Sequence, residues 1–267
     1  MTRSGREYIH GYSPREIQRL VEQAGILEEL LHSGTSYSQG ELVLEAGCGV
    51  GAQTAILHRR NPQARLVSMD ISFGSLQAAT GHTITAFLQG DIMAPPFQEG
   101  RFDHVFACFV LEHMARPIEA LEALFSLLKP GGTVTVIEGD HEACVWTPAT
   151  KAAANAWRAM IRCQEDLGHD PMIGRRLHGL LASAGYEVQY DGPRPIYASG
   201  SDRRLLGAVI NQIIVPMAST ARQRALEAGY ISAEQWDRGL ADLAHVAVAP
   251  DGAFFYSWFK AVGRKPF

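Results

Sequence analysis

Apolar positions along the chain alternate between two spacings, and this alternation predicts a regular succession of strands and helices. Short apolar runs followed by segments of helical periodicity recur from Leu42 onward. The predicted strands are 42–46, 64–70, 85–91, 102–110 and 133–140, and the helices between them are 51–60, 74–79 and 118–128. Strands that alternate with helices favour a parallel sheet covered by helices on both faces. We therefore predict an α/β, doubly wound core.

The segments on either side of this core are mostly helical. Residues 13–31 predict a helix with one apolar face, and 149–167, 174–184 and most of 202–247 predict further helices. A strand is predicted at 185–192 and a last one in "GAFFYSWFKAVGRK". The roughly 55 residues between these two strands are too many for an ordinary loop. The predicted organisation is an N-terminal helical cap (1–40), a Rossmann-like core (41–192), a helical lid insertion (193–250) and a final core strand (251–267).

Composition narrows the class of protein. A hydrophobic content of 46% and a charged content of 19% predict a folded chain, and a net charge of −4 provides no basic field for nucleic acid. The first residues carry charges where a signal peptide needs an apolar core, and no apolar run approaches the roughly 20 residues of a membrane span. The four cysteines show no zinc spacing. We expect a cytoplasmic protein without nucleic-acid or membrane partners, and the oligomeric state stays open.

The stretch "LVLEAGCGVGAQT" carries the clearest candidate chemistry. Gly47, Gly49 and Gly51 stand at alternate positions between a predicted strand and a predicted helix. Glycines at such a turn permit a tight bend and let a ligand lie against the backbone. Asp70 ends the next predicted strand and Asp91 the one after it. Because parallel strands end at one edge of a sheet, these residues predict a nucleoside pocket.

The same residues belong to a longer series of motifs. Glu45-x-Gly47-x-Gly49-x-Gly51, Asp70, "GD" at 90–91, "FDHVFACFVLEH" and "LLKPGGTVTVIEGD" follow one another over about residues 42–140. The series resembles the class I S-adenosylmethionine-dependent methyltransferases, and in particular a branch of microbial small-molecule methyltransferases. The resemblance implies a seven-stranded sheet of order 3-2-1-4-5-7-6 whose last strand is antiparallel. It also implies S-adenosylmethionine as cofactor and S-adenosylhomocysteine as product.

The resemblance implies a role for several side chains. Asp70 would hold the ribose, Ile71 would pack on the adenine and Asp91 would bond its amino group. Phe109, with Val110, would border the sulfonium. Tyr12 would fold over the cofactor, together with Tyr8 and His10, although Tyr12 also suits a helix-start packing role. The full implied cofactor-binding set is Tyr12, Glu45, Gly47, Gly49, Gly51, Asp70, Ile71, Asp91, Ile92 and Phe109.

Candidates for the acceptor side follow the fourth and fifth strands. His113 in "LEHM", and Glu138 and His141 in "EGDHEACVW", are candidate catalytic residues, as a general base or as hydrogen-bond partners of the acceptor. The alternatives are a packed histidine at a helix start and capping of the strand edge. Strand alternation places Glu138 and Asp140 on one side and His141 on the other, a poor chelate, so no metal is expected. The lid's Asn211 and Gln212 could also reach an acceptor or lie on a helix surface.

These observations predict an enzyme that methylates a small, apolar or aromatic metabolite at oxygen, nitrogen or carbon. One alternative is a non-catalytic protein of the same fold that binds S-adenosylmethionine or a partner, since a fold does not fix a function. A second alternative is an NAD-dependent oxidoreductase, because Asp70 would also suit an NAD ribose. That class usually shows G-x-G-x-x-G, whereas the third glycine here comes one residue early.

Overall fold

The computed structural model describes residues 14–79 and 85–267. In chain order the strands are β1 (Leu42–Ala46), β2 (Arg65–Asp70), β3 (Ala86–Gln89), β4 (Phe102–Cys108), β5 (Leu128–Gly139), β6 (Val145–Thr147), β7 (Glu187–Ser199) and β8 (Ala253–Arg264). The α-helices are α1 (Pro14–His32), α2 (Ala52–Arg60), α3 (Phe73–Ala79), α4 (Pro117–Leu127), α5 (Lys151–Asp166), α6 (Leu177–Ser183), α7 (Arg203–Ala208), α8 (Val215–Ser219), α9 (Arg222–Glu227) and α10 (Ala233–His245).

The described chain divides into two compact units. The sheet unit consists of Leu27–Glu142, Met172–Pro195 and Ser257–Phe267. The helical unit consists of residues 14–26, Ala143–Pro171 and Ile196–Tyr256. Among the described residues, no helix is long and apolar enough to cross a membrane.

The order of the strands confirms the expected topology. The sheet runs β3-β2-β1-β4-β5-β8, with β7 paired to β8. β1 is parallel to β2 and β4, while β8 is antiparallel to β5. The expected count of seven strands is wrong for the described chain, because β6 adds an eighth by pairing with residues 253–255 of β8 in the helical unit. Three residues are too few for a hydrophobic period to reveal a strand.

Three predicted strand ends need correction. β3 ends at Gln89, so Asp91 follows the strand and forms a bridge with Ala94. β4 ends at Cys108, two residues earlier than predicted. β5 begins at Leu128 rather than at residue 133, and so includes the "KPGG" segment. It does so through a register shift, since β4 residues 102 and 104 pair with β5 residues 128 and 133.

One face of the sheet packs on an apolar core. Alternate residues of β1, β4 and β5 turn to this face and meet α4 and α6. The fully buried members include Leu44, Val105, Leu124, Val136 and Leu181. This apolar layer holds the strands in place, and so fixes the positions of the loops that follow their carboxyl ends.

The opposite face carries a buried lysine at the end of α1. Lys260 of β8 is 2% exposed, and its Nζ donates to the carbonyl oxygens of Leu31 at 3.3 Å and Ser33 at 2.8 Å. It also donates to Oγ1 of Thr35 at 2.6 Å. The carbonyl groups at a helix C-terminus carry partial negative charge, so the ammonium group caps α1.

We expect Lys260 to make the stability depend on pH above about 8. Burial lowers the pKa of its ammonium group from 10.5 to about 8. Between these values the unfolded chain binds more protons than the folded one, so the free energy of unfolding should rise with pH by up to about 3 kcal/mol. Urea unfolding of the wild type and of Lys260→Met at about pH 7 and pH 10 measures this rise. An equal change with pH in both proteins would contradict the prediction.

The helical unit contains the insertion before β8. Helical spacing in this insertion predicts an apolar stripe of Leu205, Leu206, Val209, Ile210, Ile213, Ile214 and Met217. All of these side chains are at most 8% exposed except Leu205, which is half-buried. Val209–Ile214 form a π-helix, a wide turn often found at functional positions. Asn211 and Gln212 lie in this turn and are exposed. The role of the insertion as a lid stays a prediction.

Candidate active site

Three glycines form the loop that joins β1 to α2. Gly47, Gly49 and Gly51 have left-handed backbone conformations, with φ of +80°, +52° and +79°. The N–H groups of Gly47 and Cys48 both donate to the carbonyl oxygen of Met69, at 2.7 and 3.0 Å. The loop is therefore held against β2 in a conformation that glycine adopts without steric cost.

The glycines differ in what a side chain at each position would meet. A Cβ atom on Gly47 would lie 2.5 Å from Cγ2 of Val110, and one on Gly51 would lie 3.0 Å from Cβ of Ala79. A Cβ atom on Gly49 would meet nothing within 4 Å in the described part of the chain. The loop is thus open at Gly49, where a ligand can lie directly against the backbone.

Asp70, the last residue of β2, is bonded to this loop. Its Oδ2 accepts the N–H of Gly49 at 2.7 Å, and its Oδ1 accepts the N–H of Ser72 at 2.8 Å. Burial raises the pKa of the carboxyl group, while the hydrogen bonds from Ser72 and Gly49 act to lower it. A carboxylate has about four lone-pair positions. Asp70 can therefore bind further hydroxyl groups without leaving the loop.

Two apolar side chains next to Asp70 are exposed. Ile71 is 49% exposed and Phe73 is 58% exposed. Exposed apolar surface beside a polar group that can fix orientation is typical of small-molecule sites. This pair offers a surface on which a flat ring can pack.

The turn after β3 contributes Asp91 and Ile92. Oδ1 of Asp91 accepts the N–H of Met93 at 2.9 Å, which fixes the carboxyl group within the turn. Because Asp70 pairs with Gln89 in parallel register, Asp91 lies at the same edge of the sheet as Asp70. Ile92 is 8% exposed and belongs to the apolar core, so it supports the turn from within.

Glu45 lies beneath the glycine loop. It is 2% exposed, and its Oε2 accepts the hydroxyl groups of Thr54 at 2.5 Å and Ser68 at 2.7 Å. Burial raises the pKa of Glu45 to about 7, against the lowering effect of the two hydroxyl bonds. These bonds tie β1 to α2 and to β2. Glu45 therefore positions the loop from below.

The turn after β4 lies against the loop. Phe109 has a left-handed φ of 60°, and its N–H donates to the carbonyl oxygen of Ile137 at 2.9 Å. Both methyl groups of Val110 face Gly47, since a Cβ atom there would be 2.5 and 2.9 Å from them. The structure thus brings Val110 against Gly47, and the expected place of Phe109 and Val110 beside the sulfonium stays a prediction.

Glu138 holds the same turn from β5. It is fully buried, and its Oε1 accepts the N–H groups of Val110 at 3.0 Å and Leu111 at 2.7 Å. Its Oε2 has no hydrogen-bond partner in the described chain. Burial raises the pKa of this carboxyl group well above its ordinary value, and the charge of Glu112 raises it further. The backbone N–H groups of Leu111 and Val110 act in the opposite direction and lower the pKa.

Two histidines lie in the segments that follow β4 and β5, close in sequence to Leu111 and Glu138. Nε2 of His113 lies 3.4 Å from Oε1 of Glu112, and burial lowers the pKa of His113 to about 4. His141 is 4% exposed, and burial lowers its pKa, while the charges of Glu112 and Asp140 act to raise it. Both imidazoles are thus held towards the neutral form, which can accept a proton.

The other acidic residues of "EGDHEACVW" are bonded to an arginine. Asp140 is 2% exposed and accepts two hydrogen bonds from Arg175, Nε to Oδ2 and Nη2 to Oδ1, both 2.6 Å long. Nη1 of Arg175 also donates to Oε2 of Glu142 at 3.1 Å. Such a bidentate pair occupies the carboxylate strongly. In the described parts of the chain, no group of three or more histidine, cysteine, aspartate or glutamate residues is placed to hold a metal ion.

Residues 44–136, from β1 to β5, match the family described as a methyltransferase domain. The match supports, for this part of the chain, the resemblance to the class I S-adenosylmethionine-dependent methyltransferases. It covers the glycine loop, Asp70, Asp91 and the turn after β4. The resemblance seen in the sequence is thereby confirmed.

Two curated relatives are similar to different shares of this chain. An uncharacterized 37.1 kDa transposon protein of Streptomyces fradiae is 27% identical over 79% of this chain and 59% of its own length. A demethylmenaquinone methyltransferase of Lactococcus lactis is 32% identical over 42% of this chain and 49% of its own length. This chain therefore spans only about half to three-fifths of the length of these two curated relatives.

A solved methyltransferase shares the fold. The phosphoethanolamine N-methyltransferase 2 of Haemonchus contortus, solved with phosphomonomethylethanolamine and S-adenosylhomocysteine, superposes with a TM-score of 0.56. The alignment covers 96% of this chain and 61% of the other at 13% identity. At this identity the likeness shows the fold alone.

Some residues of the candidate site were missed from the sequence. Glu112 precedes His113 in "LEHM" and could have been noticed, because it is an ionisable neighbour of a candidate base. Arg175 gave no signal, since its pairing with Asp140 joins distant segments. Phe73 was overlooked although it follows Ile71 closely. Tyr12, like Tyr8 and His10, lies outside the described residues.

Proposed function

We propose that this chain transfers a methyl group from S-adenosylmethionine to a small, apolar or aromatic metabolite, at an oxygen, nitrogen or carbon atom. The observation that carries the proposal is the open side of the glycine loop at Gly49, joined by a hydrogen bond to Asp70. A nucleoside ligand with an amino-acid tail needs such a backbone approach beside a ribose-binding carboxylate. The residues present therefore fit the cofactor.

Each part of the cofactor would have its own partner. Asp70 would accept the ribose hydroxyl groups with its remaining lone pairs, and Asp91 would accept the amino group of the adenine. Ile71 and Phe73 would pack on the ring, and the glycine loop would border the methionine part. When bound, the cofactor supplies the electrophilic methyl group.

The chain's own contribution would be alignment and proton management. An acceptor oxygen that carries a proton needs a base, whereas a carbon or amine acceptor needs only orientation. His113 and His141 are the candidate groups to take that proton. Burial lowers the pKa of each imidazole, which keeps it neutral and free to accept a proton but also makes it a weaker base. Glu138 is fully buried, so it is less suited to touch an acceptor.

The substrate class rests on weaker support than the cofactor. The relative from Lactococcus lactis is named for demethylmenaquinone, which makes quinols reasonable first acceptors to test. A cytoplasmic location, the absence of a nucleic-acid partner and the lid role of residues 193–250 stay predictions.

A calorimetric titration with S-adenosylmethionine and S-adenosylhomocysteine tests the proposal directly. We expect both to bind one site and to raise Tm, since a ligand that binds only the folded chain stabilises it. Absence of heat and of a thermal shift would contradict the proposal. A second assay would follow the labelled methyl group from the cofactor into a panel of quinols, phenols, amines and carboxylic acids. Binding without transfer to any of them would favour the non-catalytic alternative.

A further inference from the structure

The backbone is strained where β4 ends. Phe109 is a bulky residue at φ 60°, where side chains other than glycine are disfavoured. Such a conformation persists only when its surroundings hold it, and it is characteristic of ligand-binding and catalytic positions. Something next to Phe109 must therefore restrain the turn.

The restraint comes from two consecutive residues of β5. The carbonyl oxygen of Ile137 accepts the N–H of Phe109, and Oε1 of Glu138 accepts the next two N–H groups, those of Val110 and Leu111. Three successive backbone donors are thus bonded, of which the bond at Leu111 is buried and the bond at Val110 is partly buried. Without Glu138, two of these donors would lose their acceptor, a costly state for buried backbone.

The turn at Phe109–Leu111 also restricts the position of the glycine loop. Both Val110 methyl groups face Gly47 so closely that not even a Cβ atom would fit there. A shift of Val110 by a fraction of an ångström would therefore change the position of Gly47 or open a gap beside it. The loop is otherwise held by Met69 and Asp70 on its other side.

We propose that Glu138 is a positioning residue for the cofactor, which acts by fixing Val110 against Gly47 through the turn at Phe109–Leu111. The inference rests on the proposed function only in taking the glycine loop as the cofactor site. This role differs from that of a general base. A base must take a proton from the molecule that is methylated, whereas positioning needs only Oε1 as a hydrogen-bond acceptor for the backbone. The unpartnered Oε2 takes no part in it.

Glu138→Gln separates these two roles. The amide oxygen of glutamine can accept the same two N–H groups, so we expect Glu138→Gln to bind S-adenosylmethionine within about threefold of the wild type, whereas Glu138→Ala should bind about 10- to 100-fold more weakly. If a quinol or phenol is methylated, Glu138→Gln should keep the wild-type pH profile. Loss of binding or transfer in Glu138→Gln as large as in Glu138→Ala would overturn the proposal.

A double-mutant cycle tests whether the effect passes through Val110. Val110→Ala alone should weaken binding, and Glu138→Ala should add little in the Val110→Ala background, because the contact it supports is already lost. Additive losses would overturn the proposal.

Tyr186→Phe is a matched control, since it removes a buried hydrogen bond to the carbonyl oxygen of Leu121 elsewhere in the sheet unit. Tyr186→Phe should lower Tm and leave the affinity for S-adenosylmethionine unchanged. If Glu138→Ala also lowered only Tm, Glu138 would have a structural role alone and the proposal would be overturned.

Hydrogen exchange on the ligand-free chain keeps this test independent of the proposed function. In Glu138→Ala, but not in Glu138→Gln, we expect faster exchange of the amides at 109–111 and also at 47–51. Faster exchange at 109–111 alone would overturn the coupling to the loop. Failure of the wild type to bind S-adenosylmethionine would instead sink the proposed function, and the exchange result would still decide the positioning role.

Discussion

Asp70→Ala is expected to lower the affinity for S-adenosylmethionine by about 100-fold while the chain stays folded. The carboxyl group holds the N–H of Gly49 and that of Ser72, and it is the proposed ribose acceptor. Its removal would lose the ligand contact and release the loop at the same time. Hydrogen bonds to charged groups contribute about 1.5–3 kcal/mol each, which supports a loss of this size. Calorimetric titration measures the affinity and circular dichroism the fold.

Asp103→Ala provides the matched control for this substitution. Asp103 also accepts a backbone N–H, that of Leu42 at 2.9 Å, and bonds Lys129 at 2.6 Å. It stands next to the first residues of β1 and β4, at the opposite end of these strands from the glycine loop. We expect Asp103→Ala to lower Tm without changing the affinity. Wild-type affinity in Asp70→Ala would show that the ribose is placed wrongly.

Gly47→Ala should mainly lower stability and Gly49→Ala should mainly lower cofactor affinity, although both add one methyl group to the same loop. In Gly47→Ala the new Cβ would lie 2.5 Å from Val110 at φ +80°. We expect a loss of about 2–4 kcal/mol of stability from overpacking and left-handed strain. For a domain of this size that corresponds to a fall in Tm of roughly 5–15 °C, measurable by thermal unfolding.

In Gly49→Ala the new methyl group would enter open space, so only the left-handed backbone costs stability, by about 1–2 kcal/mol. The affinity for S-adenosylmethionine should nevertheless fall by at least about tenfold, because the methyl group would occupy the side on which the ligand approaches the backbone. Undiminished affinity in Gly49→Ala would mean that the ligand does not lie there.

Local chemistry explains which elements could be predicted from the sequence. β1 was predicted with its observed bounds, because an apolar run ends abruptly at alternating glycines. The neighbouring helix α2 begins one residue later than predicted. The antiparallel β8 was expected only through the family resemblance, since an aromatic strand alone does not specify its direction. β1 and α2 could be predicted because the residues that determine their bounds are adjacent in the sequence.

Other features depend on contacts that no local pattern contains. A phenylalanine gives no sign that it will adopt φ 60°, so β4 was extended two residues too far. The sequence already argued against a chelate at Asp140, but it could not show that Arg175, from a distant segment, is the residue bonded to it. Glu138 looked like a candidate base because burial of a strand end cannot be judged from its sequence. The roles of the cofactor residues themselves remain predictions.

The order of strands in the sheet also has a consequence for synthesis on the ribosome. Gly47 belongs to the loop after β1, whereas Val110 and Glu138 follow much later in the chain, after β4 and within β5. A nascent chain that has emerged only as far as α3 contains all three glycines with Met69 and Asp70, but it lacks Val110 and Glu138 on the other side of the loop. Contacts between residues distant in sequence form slowly. We therefore expect the glycine loop to be held on both sides only after β5 has been translated and paired with β4. We therefore expect the cofactor to have no effect on the early stages of folding and to stabilise only chains that extend beyond β5.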